Sequence, residues 1–192
     1  MNKTAKPIRI LTVAPVMALV MLLVLYLRNP LLFGGRVHFA FSVLFLVVFP
    51  LLGYPLQPLI KKYKGKGREG QRMLAIDFAV SGYIGGCLSA VLLHAPKSVW
   101  IIYLSYLLSG ILIMLSSKLL HFKASGHACG VAGPFALLVY FGQPFGFCGI
   151  PVLALVFLSS LQMKRHTVLQ LICGTAIPIV ALSIIILINS LL

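Results

Sequence analysis

The chain has 192 residues, of which 60% are hydrophobic and 9% charged, and its mean hydropathy is +1.07. That composition excludes an ordinary soluble globular domain. Sixteen lysines and arginines stand against two carboxylates, for a formal net charge of +14, so no aspartate cluster is on hand to hold Mg²⁺ against a pyrophosphate, and neither a metal nor a cofactor is expected.

A hydrocarbon core about 30 Å thick takes about 20 apolar residues of helix. The first such run spans roughly 8–27, with Lys3, Lys6 and Arg9 before or at its start. It is long for the apolar part of a signal peptide, and no small-x-small cleavage site comes before Arg28, so it reads as a retained anchor. The second run, 38–59, is kinked or ended by Pro50, Pro55 and Pro58. A basic loop at 60–72 follows, then runs at 73–94 and 99–120. Asp77 falls in the first turn of the third run, as the sole intramembrane carboxylate candidate. Gly82-x-x-x-Gly86 and Gly126-x-x-x-Gly130 match the small-residue spacing of close helix packing.

The apolar stretch between His127 and Lys164 is too long for one crossing. Gly142-Gln-Pro144 breaks it into two helices of about 16 residues. The last run is 168–191. The expectation is an all-α, multi-pass membrane bundle of seven spans in a single domain, 1–192. Cys87, Cys129, Cys148 and Cys173 each sit alone in apolar sequence and read as buried thiols, with neither a disulfide framework nor a zinc site.

Charge then fixes the expected topology. Seven spans place the N-terminus and the loops at 60–72, 121–127 and 163–167 on one side. Arg28, Arg36 and Lys97 are left on the other, so thirteen of the sixteen basic residues share a face. That bias predicts a cytoplasmic N-terminus. It also accounts for the run Lys61-Lys-Tyr-Lys-Gly-Lys-Gly-Arg68 without nucleic acid, for which no binding module is present.

Two polar clusters lie between apolar runs on that same face, Lys123-Ala-Ser-Gly-His127 and Arg165-His166-Thr-Val-Leu-Gln170. A phosphate monoester is a dianion, best held by Lys or Arg and by amide donors at a helix N-terminus. Ser125 is a natural N-cap, and Gly126 lets backbone approach a phosphate closely. A neutral imidazole can attack phosphorus, and a protonated one can release the leaving alcohol. The alternative for each histidine is a headgroup anchor at the membrane boundary.

Lys-x-Ser-Gly-His, followed one helical hairpin later by a histidine that opens the last span, resembles the type 2 phosphatidic acid phosphatase family. The signatures of that family are Lys, six residues and Arg-Pro; Pro-Ser-Gly-His; and Ser-Arg, five residues, His, three residues, Asp. The likeness covers about 60–190, with its specific part at 123–170. It implies that His166 is the nucleophile, that His127 is the acid for the leaving group, and that Ser125, Gly126 and Lys123 bind phosphate. Here Ala124 stands where the family has Pro, Ser159-Ser160 where it has Ser-Arg, and Gln170 where it has Asp. Arg165 would substitute for the missing arginine, and Gln170 would orient the imidazole without neutralising it. Lys61 and Arg68 have the spacing of the first signature, with Glu69 in place of its Pro. Arg68 or Arg72 would fold over the site from the 60–72 loop. Arg-Glu-x-x-Arg followed by Lys-x-Ser-x-His and His-Thr-x-x-Gln also looks like a divergent bacterial branch of the family. The resemblance implies a metal-independent phosphatase of the bacterial inner membrane. It would act on a lipid phosphate or prenyl diphosphate at a site facing the cytoplasm. The alternatives are a relative that binds anionic headgroups with little turnover, in the manner of a lipid transporter or scramblase, and a structural membrane subunit.

Overall fold

The computed structural model describes residues 5–191, and the side chains of residues 5, 6 and 68 lie outside that description. All secondary structure in the described residues is helical. In chain order the helices are α1 (Ala5–Leu11), α2 (Ala14–Arg28), α3 (Arg36–Val43), α4 (Phe49–Leu52), α5 (Gly67–Leu92), α6 (Lys97–Lys118), α7 (Gly126–Tyr140), α8 (Gly149–Gln162) and α9 (Val168–Leu191). A π-helical turn, Leu44–Val48, joins α3 to α4. Among the described residues, four helical segments are long and apolar enough to cross a membrane: Glu69–Leu92, Lys97–Lys118, Pro144–Gln162 and Val168–Leu191. The protein is therefore read as an integral membrane protein. Three apolar helices, Ala14–Arg28, Arg36–Leu52 and Gly126–Tyr140, are shorter than those four.

The first run departs from the single helix expected over 8–27. It breaks at Thr12–Val13, because Pro15 lies in the first turn of α2. A proline there has no N–H for the carbonyl of Leu11, and its ring would collide with that carbonyl in a continuous helix. α1 is thereby freed from the axis of α2 and lies against α8. The 60–72 segment also differs, since α5 already begins at Gly67. Arg72 thus stands on a helix, and Asp77 sits about three turns inside α5, not in its first turn. Asp77 accepts a hydrogen bond from the Tyr63 hydroxyl.

The expected break near Pro144 is present. Gly142 takes a left-handed φ of 72°. The N–H of Gln143 reaches back to the Leu138 carbonyl at 2.8 Å, and that of Gly142 to Val139 at 2.9 Å. This Schellman pattern satisfies the last carbonyls of α7 before Pro144 redirects the chain.

α7 is the centre of the bundle, packed on α2, α8 and α9. Val131, Leu137 and Leu138 meet Met21, Leu22 and Leu25 of α2 in one buried cluster. Closeness is set by small residues: a Cβ on Gly130 would lie 2.2 Å from the Cβ of Ala14. A Cβ on Gly86 would lie 2.4 Å from the Tyr103 ring, so the spacing in α5 serves tight packing. Large apolar side chains on the outer face of α9, including Ile172, Ile179, Val180 and Leu187, are exposed, as suits a surface turned toward lipid. Of the four free thiols only Cys129 is buried; Cys87 and Cys173 are half-buried, and Cys148 is exposed in a 3₁₀ turn, contrary to the expectation for that residue.

Candidate functional site

The turn into α9 is built almost entirely from its own residues. α8 ends in a left-handed Lys164 (φ 49°). The N–H of Arg165 bonds the Ser160 carbonyl at 3.0 Å, and that of Lys164 bonds Leu161 at 2.9 Å. The reversal carries Arg165 and His166 into a cavity of about 270 Å³. Thr167 and Gln170 then cap α9 reciprocally. The Gln170 N–H donates to Thr167 Oγ1 at 3.3 Å, and the Thr167 N–H donates to Gln170 Oε1 at 3.1 Å.

This capping box fixes the proton on His166. A backbone N–H can only donate, so the Gln170 atom facing it is the amide oxygen. The same oxygen lies 3.1 Å from His166 Nδ1, which must therefore donate. The tautomer assigned from this network carries hydrogen on Nδ1 and the lone pair on Nε2 in the neutral ring.

The turn into α7 is built differently. Ser125 is the N-cap and accepts from the Ala128 N–H at 3.2 Å. The residue is fully buried, and its side chain does not line the cavity; Gly126 and His127 do. The Ser125 N–H donates to the Gln170 carbonyl at 2.9 Å, which ties the two turns together. Gly174, one turn along α9, makes that approach possible, since a Cβ there would stand 2.4 Å from the Ser125 carbonyl oxygen.

His127 is held from the far end of the sequence. Its Nε2 lies 2.8 Å from Thr12 Oγ1. The single hydroxyl proton of Thr12 goes to the Ile8 carbonyl at 2.7 Å, so the oxygen accepts and His127 Nε2 carries a hydrogen. The two histidines thus present opposite Nε2 states.

The cavity is cationic at the end where these turns meet. Arg9, Arg72 and Arg165 line it with His127 and His166, and none of its lining residues is a carboxylate. Arg72 reaches it from α5 and donates to Ser117 Oγ at 3.0 Å. Farther in, the walls are small and apolar, with Ala79, Gly110, Gly133 and Pro178 among them. At the inner end sit the hydroxyls of Ser105 and Tyr106, buried and without a hydrogen-bond partner among the described residues.

Other residues singled out in the sequence lie elsewhere. Lys123 pairs with Glu69 at 3.3 Å on the surface, both side chains more than half exposed, and is not part of the cavity wall. Gln170 also stands behind the lining, bonded to His166. The side chain of Arg68, like Lys3 and the side chain of Lys6, lies outside the described residues. Among the described residues no three His, Cys, Asp or Glu side chains cluster as metal ligands would. Two participants escaped the sequence reading, Arg9 and Thr12. In the sequence Arg9 reads as a topology charge, and the one signal for either residue is Pro15, which forecasts a break and hence a separate α1. Comparison with protein-family models, curated proteins and solved structures finds no match.

Proposed function

We propose that this chain is a divergent member of the type 2 phosphatidic acid phosphatase family. In this reading it is a metal-independent membrane phosphatase that hydrolyses a lipid phosphate or prenyl diphosphate. The observation that carries the reading is the pair of histidines on one arginine-lined cavity, His166 with a lone pair at Nε2 and His127 anchored through Nε2 on Thr12, which leaves its Nδ1 for proton transfer.

The chemistry that follows is a two-step transfer. Arg72 and Arg165, with the first-turn amides of α7, hold the phosphate dianion. His166 Nε2 attacks phosphorus in line, forming the N–P bond as the ester P–O bond breaks. With its Nε2–H held by Thr12 Oγ1, the imidazolium of His127 gives its Nδ1 proton to the departing oxygen, and the bound dianion favours that cationic form. Water, losing its proton to the now neutral His127, then attacks the phosphohistidine, and inorganic phosphate leaves with His166 regenerated. The apolar inner walls suit a hydrocarbon tail. The charge bias in the sequence supports a cytoplasmic N-terminus, seven spans and a site open to the inner leaflet of a bacterial inner membrane.

A second reading has one specific observation in its favour. Ser160 and Gln170 occupy places where the family has Arg and Asp, which fits a protein that binds anionic headgroups with little turnover. The deciding experiment is phosphate release by purified protein in detergent with excess chelator, over a panel of lipid phosphates and prenyl diphosphates, comparing wild type with His166→Ala. Release by wild type alone is expected. Chelator-sensitive release, or release retained in His166→Ala, would overturn the mechanism; lipid binding without release would favour the second reading.

A further inference from the structure

α1 has seven residues, yet it reaches the site twice, through Arg9 and through the Thr12 that follows it. Arg9 Nη1 donates to Ser160 Oγ at 2.7 Å across 151 positions of sequence. Ser160 is fully buried in the last turns of α8, beside the Schellman turn that places Arg165. A guanidinium is a planar fork of five donors, and anchoring one of its nitrogens on a fixed hydroxyl removes much of the freedom that ligand binding would otherwise cost. Among the described residues, the cavity wall then holds three guanidinium groups and no carboxylate. Cations gathered in a confined space of that kind are stabilised by an anion that accepts from several at once.

We propose that Arg9 is a phosphate-binding residue, delivered to the cavity by α1 and clamped on Ser160 beside Arg165. The proposal rests on the phosphatase reading for the identity of the anion and goes beyond it in making the N-terminal segment part of the site. Two features fit delivery by α1. The break before Pro15 lets α1 lie on α8 instead of continuing α2. Thr12, one residue past α1, keeps His127 at the same end of the cavity. The anchor also defines where a replacement guanidinium would have to start: at position 160 itself.

The test is binding of orthovanadate, a phosphate mimic, to the full chain in detergent. It is measured by calorimetry alongside phosphate release, with thermal melting to confirm folding. Wild type is expected to bind. Arg9→Ala and Arg9→Gln are expected to lose affinity by about 30-fold or more, the glutamine variant because it can keep a donor toward Ser160 without the charge. Arg9→Lys should recover little, since a point charge does not replace the fork. Arg9→Ala combined with Ser160→Arg should regain at least about tenfold over Arg9→Ala. No vanadate binding by wild type would overturn the proposal, as would wild-type affinity in folded Arg9→Gln. Loss in Arg9→Ala without recovery in the double variant would also overturn it, because the loss would then belong to the docking of α1. Vanadate binding that depends on Arg9, in a wild-type protein that releases no phosphate, would sustain the proposal while removing the phosphatase reading.

Discussion

The two histidine turns look alike in sequence and are held in opposite ways. His166 is oriented by Gln170, four residues on in its own helix, through an oxygen that also caps that helix. His127 is oriented by Thr12, 115 positions away, through a hydroxyl that α1 brings to it. One turn carries its own geometry; the other borrows it from the assembled bundle. The difference teaches that equivalent residue types at equivalent helix ends acquire distinct proton states from whatever stands behind them. It also separates the two proposed roles, since the lone-pair histidine is the self-contained one.

Substituting the histidines breaks the comparison hardest. His166→Ala is expected to lower phosphate release by about 10⁴-fold or more and to abolish a phosphohistidine trapped by acid-resistant labelling. His127→Ala should lose about 10²–10³-fold, and an aryl phosphate with a good leaving group should restore much of that, because no proton is then needed at the departing oxygen. Equal loss in both variants on the aryl substrate would erase the division of roles.

Separating the turns comes next. Gly174→Ala puts a methyl group against the Ser125 carbonyl, and overpacking of this kind costs about 1–3 kcal/mol. Both thermal stability in detergent and turnover should fall, whereas Gly133→Ala, whose new Cβ would meet only Pro178 Cβ at 3.3 Å, should cost less. Exchanging the supports sharpens the contrast further. Thr12→Val keeps the volume but leaves the His127 Nε2–H unpaired, and turnover should fall by about tenfold with a loss of about 1–3 kcal/mol in stability. Gln170→Glu keeps the reach to His166 and to the Thr167 N–H while adding a charge for the imidazolium, so turnover should hold or rise. Gln170→Asp is one methylene shorter and would give up the cap that the geometry shows.

The smallest effect belongs to the turn ahead of His166. Lys164 holds a left-handed conformation (φ 49°) that an L side chain disfavours. Lys164→Gly should raise stability by up to about 1 kcal/mol in a melting experiment and leave the site geometry intact.

What could be read from the sequence follows the range of each interaction. The Ser125 cap and the break at Gly142–Pro144 depend on neighbours within five residues and are readable from spacing alone, whereas the equally local Thr167–Gln170 box emerges only in the structure. The helical class followed from hydropathy, although Pro15 divided a run that looked continuous. The start of α5 is hidden because its first turns are basic and glycine-containing, and such composition resembles a loop until tertiary packing decides. Lys123 looked like a phosphate ligand because it precedes Ser-Gly-His; no local rule forecasts that Glu69, 54 positions earlier, would stand beside it. Arg9 and Thr12 were hidden for the same reason, since a residue whose partner lies a hundred positions away leaves no periodic trace.

The clasp between Arg9 and Ser160 also bears on how the molecule is made. A chain emerging N-terminus first presents α1 long before α8 and α9 exist, and the 151 positions between the two partners must be synthesised and inserted in the meantime. Closure of so long a loop comes late, after the local helices have formed. The cationic end is therefore completed only once α8 and the turn into α9 have been made, so a nascent chain that ends before them carries α1 and the His127 turn without Ser160, Arg165 and His166. Capacity to bind a phosphate mimic would then report finished assembly, one residue at the start of the chain certifying the arrival of those near its end.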